Sequence, residues 1–159
     1  MPLLDGIAAT ARIVRETSSR VLVLTTFDLD EYAYDGLRAG ASGFLLKDTL
    51  PERLYDAVRA VAAGDAALTP RITRELIARF ADTNSPRTRP GTVGALDALT
   101  SREKEVFGLI SDGLANAEIA RAMFLTEATV KTHVTRVLSK LGLRDRVQVV
   151  IHAYENGLR

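Results

Sequence analysis

Residues 118–141 read EIARAMFLTEATVKTHVTRVLSKL, and the apolar positions divide that stretch into two helices. Ile119 and Met123 recur on one stripe of the first, and Val130, Val134, Val137 and Leu141 on one stripe of the second, with Leu138 at its margin. Thr126 lies between them as an N-cap, since its side-chain oxygen can accept from the free N–H groups of the next turn. The opposite side of the second helix shows Ala128, Thr132, Thr135 and Ser139, flanked by Lys131 and Arg136. Short side chains edged by two long cations suit a major groove about 12 Å wide and allow close approach to base edges. Ala120 is small enough to let the two helices cross tightly, which predicts a helix-turn-helix. A four-helix bundle with a solvated polar face has the same periodicity, so periodicity alone leaves both readings open.

The flanks complete an all-α domain. LTSREKEVFGLISDG, residues 99–113, places Thr100 at a cap with Glu103 three residues on, then Val106, Leu109 and Ile110 on one face and Gly113 as the stop. Asn116 is expected to cap the short helix, Gly142 to end the long one, and Asp145 to cap a last helix closed by Gly157. That last helix is expected to bury Val147, Val150, Ile151 and Tyr154, leaving Val149, His152 and Ala153 on its other side. From Thr126 to Arg146 five bases stand against two acids, although the whole chain carries a net charge of only +1.

Upstream, ADTNSPRTRPGTVGAL is poor in large apolar residues and holds two prolines and two glycines, a linker signature. The expected division is a first domain over 1–82, a linker over 83–95 and a second domain over 96–159. Before the linker, RVLVLTT and SGFLLKD read as strands buried in a parallel sheet. DEYAYDGLRAG reads as a helix closed by Gly40, and PERLYDAVRAVAAG as a helix with Pro51 in its first turn and Leu54, Val58 and Val61 on one stripe. The fold class is therefore α/β followed by all-α. Two strands do not complete an open α/β sheet, and MPLLDGIAAT, residues 1–10, reads as the interior of a loop.

The 159 residues contain no cysteine, so disulfides, thiolate metal sites and cysteine nucleophiles are excluded. The longest apolar runs fall far short of the roughly 18 residues of a membrane span, and a cytoplasmic location is expected. No phosphate-cradling glycine loop, paired catalytic carboxylates or Ser/His/Asp set can be assembled, which argues against an enzyme. His133 and His152 make no convincing metal site.

Residues 99–150 closely resemble the LuxR/NarL-type (FixJ-like) DNA-binding domain. The resemblance implies that the third helix of the domain reads duplex DNA. Lys131 would reach phosphate or a base edge, Thr132 and Thr135 would lie over bases, and Thr126 and Thr129 would hold phosphate, with His133, Arg136 and Ser139 beside them. The position of Thr135 is often more basic in that family. The fourth helix would pair two domains on a two-fold site through Val149, His152 and Ala153, which from the residues alone are equally well scattered surface positions.

MPLLDG, VLVLTTFD and AGASGFLLKD resemble the later part of a response-regulator receiver domain, a flavodoxin-like fold. By that resemblance Thr25, with Thr26 as the alternative, and Lys47 contact an aspartyl phosphate, and Phe44 is a ring that changes position on activation. The phosphorylated aspartate falls three residues before Met1, and the acidic Mg²⁺-binding pair earlier still, so no cofactor is expected for this chain. A sensor histidine kinase and Mg²⁺ belong to a full-length form. The chain is expected to be a DNA-binding transcription regulator and homodimer with a truncated receiver, arising from an internal Met or a true truncation. The alternative is an interaction module that pairs with and modulates an intact regulator.

Overall fold

The computed structural model describes residues 5–26, 31–65, 78 and 96–158. The chain divides into two units, Met1–Ile72 and Thr73–Arg159. The expected linker lies outside the described residues, as do Asp28 and Asp30, two acids that follow RVLVLTT and are expected to be solvated loop residues.

In the first unit α1 (Gly6–Glu16), β1 (Leu22–Thr25), α2 (Glu31–Arg38), β2 (Gly43–Leu46) and α3 (Pro51–Ala63) follow in that order. β1 and β2 pair in parallel, with Leu22 opposite Gly43 and Thr25 opposite Leu46. Because successive side chains of a strand alternate between faces, Val23 and Phe44 share one face and pack with Ala33 of α2. Leu22 and Leu45 share the other face and pack with Ala57 and Val61 of α3. The layered α/β arrangement follows from apolar residues at both parities of each strand. Gly64 ends α3 in the left-handed region, and Arg20 Nη1 donates to the Ala62 carbonyl at 2.7 Å, satisfying an end group of that helix.

The opening loop needs correction. Residues 6–16 are helical, because Asp5 caps them by accepting from the Ala8 N–H at 2.7 Å, and of the opening ten residues 1–4 lie outside the described set. α1 packs on α2 and comes close at Gly40 (φ +104), where an added Cβ would stand 2.8 Å from Val14.

From residue 96 on, the second unit shows a short 3₁₀ turn, Leu96–Ala98, followed by the helices α4 (Ser101–Ser111), α5 (Asn116–Met123), α6 (Glu127–Leu141) and α7 (Arg146–Glu155). Its core draws Val106, Phe107 and Ile110 from α4, Ile119, Ala120 and Met123 from α5, Val130, Val134 and Val137 from α6, and a broad side of α7. Thr100, Thr126 and Asp145 each cap the helix that follows through a side-chain oxygen, and Gly142 closes α6 with φ +64. No helix among the described residues is long and apolar enough to cross a membrane.

Candidate nucleic-acid interface

α5, the turn after it and α6 form the helix pair that the spacing of Ile119, Met123 and Val130 demands. Thr126 Oγ1 accepts from the Thr129 N–H at 3.2 Å and lies 2.9 Å from the Thr129 hydroxyl, placing two side-chain oxygens at the N-terminus of α6. That end of a helix favours anions. Ala128, Lys131, Thr132, Thr135, Arg136 and Ser139 are all exposed along the side opposite the buried valines. The Thr132 hydroxyl donates to the Ala128 carbonyl at 3.1 Å, and the Thr135 hydroxyl to the Lys131 carbonyl at 2.9 Å. The structure thus brings Thr126, Thr129, Lys131, Thr132, Thr135, Arg136 and Ser139 onto one accessible surface. His133 stands apart, half-buried at the margin of the valine stripe with its Nδ1 out of solvent and unbonded.

Two adjacent residues of α4 fix this pair of helices. Glu103, buried, accepts from the Thr100 N–H at 2.8 Å and from Lys140 Nζ at 2.7 Å, reaching the last turn of α6. The Lys140 bond, and then the Thr100 N–H, hold its carboxyl at a pKa of about 2, well below the usual 4.5. Arg102 donates from Nη2 to the Met123 carbonyl at 2.9 Å, gripping the end of α5, while Nη1 pairs with Glu105. Sequence reasoning found the capping role of Glu103 and missed its partner, because nothing local links residues 37 positions apart. Lys140 is consequently turned toward the domain and not toward the exposed face.

Phe124 was also missed. It occupies the turn between α5 and α6 in the left-handed region (φ 55, ψ 43), where glycine would be unstrained, and its residue surface is 95% exposed.

Three expectations require revision. Asn116 is not the cap of α5. It is already helical, Ala115 takes the cap position with its N–H donating to Glu118 at 2.6 Å, and the Asn116 amide oxygen instead accepts from Arg146 at 2.8 Å. Arg146 is itself buried and so does not add to the exposed cations. Val149 and Ala153 are fully buried, because α7 packs against both α4 and α6 and therefore buries more than one stripe. They form no exposed dimer face. The more exposed strip of α7 is Gln148, His152 and Glu155. His152 Nδ1 lies 3.3 Å from the Asn156 amide nitrogen; burial lowers its pKa, opposed by the charge of Glu155.

In the first unit Thr25 and Lys47 are brought together at the C-terminal ends of the parallel strands, with the Lys47 N–H donating to the Thr25 carbonyl at 2.7 Å. Open α/β sheets bind ligands at that edge. Phe44 is buried against Ala33 and Val23. Asp48 is exposed just beyond β2, and no three His, Cys, Asp or Glu side chains converge among the described residues. A hydroxyl and an ammonium do not fit Mg²⁺, which takes carboxylate and water oxygens.

Residues 97–153 match the family of bacterial regulatory proteins called the luxR family, and residues 1–59 match the response regulator receiver domain. The chain is 41% identical to the uncharacterized transcriptional regulatory protein YxjL of Bacillus subtilis, over 99% of this chain and 72% of that protein. It is 38% identical to the transcriptional regulatory protein LiaR of the same organism, over 98% of this chain and 71% of the relative. Among solved structures it is similar to the response regulator ChrA of a heme-sensing two-component system, with 34% identity, a TM-score of 0.41, and coverage of 100% of this chain and 73% of that one. With a receiver-type α/β unit ahead of a LuxR-type helix-turn-helix, the chain belongs to the two-component response regulators that carry a DNA-binding LuxR-type domain.

Proposed function

We propose that the chain is a sequence-specific transcription regulator that binds duplex DNA by laying α6 in the major groove, as a homodimer on a two-fold site and without catalysis of its own. One observation carries this reading: an exposed helix face of short polar side chains, bounded by Lys131 and Arg136 and beginning at the Thr126–Thr129 hydroxyl pair. In this reading Lys131 and Arg136 reach phosphate or base edges, Thr126 and Thr129 hold phosphate at the helix N-terminus, and Thr132, Thr135 and Ser139 face the bases. His133, at the edge of that surface, takes a packing or phosphate-contacting role. The domain limits 1–82 and 96–159, the linker 83–95 and a cytoplasmic location are part of the same proposal.

The receiver-type unit carries no phospho-acceptor aspartate in this reading. Thr25 and Lys47 meet at the strand ends beside exposed Asp48, and Asp28 and Asp30, also close by in sequence, lie outside the described residues. Incubation with acetyl phosphate is expected to leave the mass of the chain unchanged; a stable gain of one phosphoryl group on Asp48 or any other aspartate would contradict this.

The second reading, an interaction module that pairs with an intact regulator, draws on the exposure of Leu24, a strand residue of the kind usually buried in a parallel sheet. Lys131→Ala separates the two. Under DNA binding it lowers affinity across sequences and makes the slope of log affinity against log salt shallower by about 0.9, the value of one neutralised phosphate. Under the interaction reading it changes neither pairing nor salt dependence.

A further inference from the structure

Thr132 and Thr135 have already committed their protons. Each hydroxyl donates to a backbone carbonyl four residues back, at 3.1 Å and 2.9 Å, and since a carbonyl has no proton to give, the direction of both bonds is settled. A hydroxyl has one donor and two acceptor lone pairs. What each exposed side chain offers outward is therefore an acceptor and a methyl group. Ala128 beside them adds only another methyl, whereas Lys131 and Arg136 at the borders are obligate donors.

The major-groove edges of the bases divide along the same line. Adenine N6 and cytosine N4 carry donating amino groups, guanine N7 and O6 accept, and thymine presents an acceptor and a methyl. Three residues of helix rise about 4.5 Å, close to the roughly 3.4 Å that separates neighbouring bases of one strand, so Thr132 and Thr135 address adjacent base pairs. We infer that Thr132 and Thr135 are specificity-determining residues that accept from the exocyclic amino groups of adenine or cytosine, while guanine is read only by the bordering Lys131 or Arg136. The inference rests on α6 entering the major groove. Reading guanine through either threonine would require breaking its bond to the helix carbonyl.

The test uses the full chain and its best duplex selected from random sequence, with Thr132→Val, Thr135→Val and the corresponding serine variants. Valine keeps the shape and removes the acceptor; serine keeps the acceptor. Each valine variant is expected to bind the best duplex about fivefold more weakly, the worth of one neutral hydrogen bond, to lose preference at one adenine or cytosine position, and to keep the parent salt slope. Replacing that adenine with purine, which lacks the N6 amino group, should weaken the parent by the same factor and leave the valine variant unaffected; for cytosine, the base without its N4 amino group serves. Serine should restore discrimination. Valine variants that discriminate as the parent does, or that relax at guanine, would overturn the assignment while leaving DNA binding intact. A parent that enriches no duplex would overturn the DNA reading itself and the assignment with it.

Discussion

Val149 tests whether α7 is read correctly. Its side chain is fully buried in a helix that packs on both α4 and α6, so Val149→Ala removes two methyl-sized groups from a core and not from an interface. At about 0.8 kcal/mol per buried carbon the transfer contribution is about 1.5 kcal/mol. An unfilled space of roughly 40 Å³ adds about 1 kcal/mol, for a total near 2–3 kcal/mol. For a domain of about 60–100 residues each kcal/mol moves the thermal midpoint by about 4–8 °C, so the expected drop is about 10–20 °C. Calorimetry of the parent and Val149→Ala at two chain concentrations measures it, with Gln148→Ala on the more exposed strip as a control expected to stay within about 0.5 kcal/mol. An unchanged midpoint for Val149→Ala, with only the concentration dependence of pairing altered, would refute this packing and restore Val149 as an interface residue.

Glu103 ties stability to pH. Its carboxyl titrates near 2 when folded and near 4.5 otherwise, so its contribution is complete above about pH 4.5 and is lost as pH falls toward 2. Glu103→Gln should flatten the acid limb of a stability profile over that window; a profile identical to the parent would contradict the Lys140 contact. Gly40→Ala should strongly destabilise the first unit, since an added Cβ meets Val14 at 2.8 Å and the backbone is left-handed, whereas Gly142→Ala meets nothing within 4 Å and should cost only the backbone strain of about 1 kcal/mol. Equal losses in denaturant unfolding would contradict the close approach of α1. Phe124→Gly relieves a left-handed backbone at the cost of glycine entropy and loses almost no burial, so stability should hold or rise by up to about 1 kcal/mol. A clear loss would mean that the ring is packed.

Local chemistry was legible in the residues. Thr100 with Glu103, Thr126 and Asp145 announce helix starts, Gly142 announces an end, and valines at helical spacing announce the buried side of α6. What failed depends on neighbours distant in sequence. A moment along α7 cannot tell one packing partner from two, so Val149 and Ala153 fell on the wrong side. Asn116 has the composition of a cap, but Ala115 already holds that position and a long-range partner, Arg146, claims its side chain. Lys140 counts as a surface cation until Glu103 is brought beside it. α1 was readable in part: Ile7, Thr10 and Val14 recur on one side behind the Asp5 cap, but a polar residue in the middle obscured the stripe. At the candidate site the exposed α6 residues were placed on the correct face by periodicity, whereas the fixed direction of the threonine hydroxyls required the backbone.

The most direct measurement is selection of random duplexes by the purified chain, followed by binding of the selected sequence across a salt series. Enrichment of a two-fold repeat whose affinity falls steeply with salt is expected, with a shallower slope after Lys131→Ala. Recovery of no common sequence, with binding that is absent or indifferent to salt, would contradict the assignment of α6 as a DNA-reading helix.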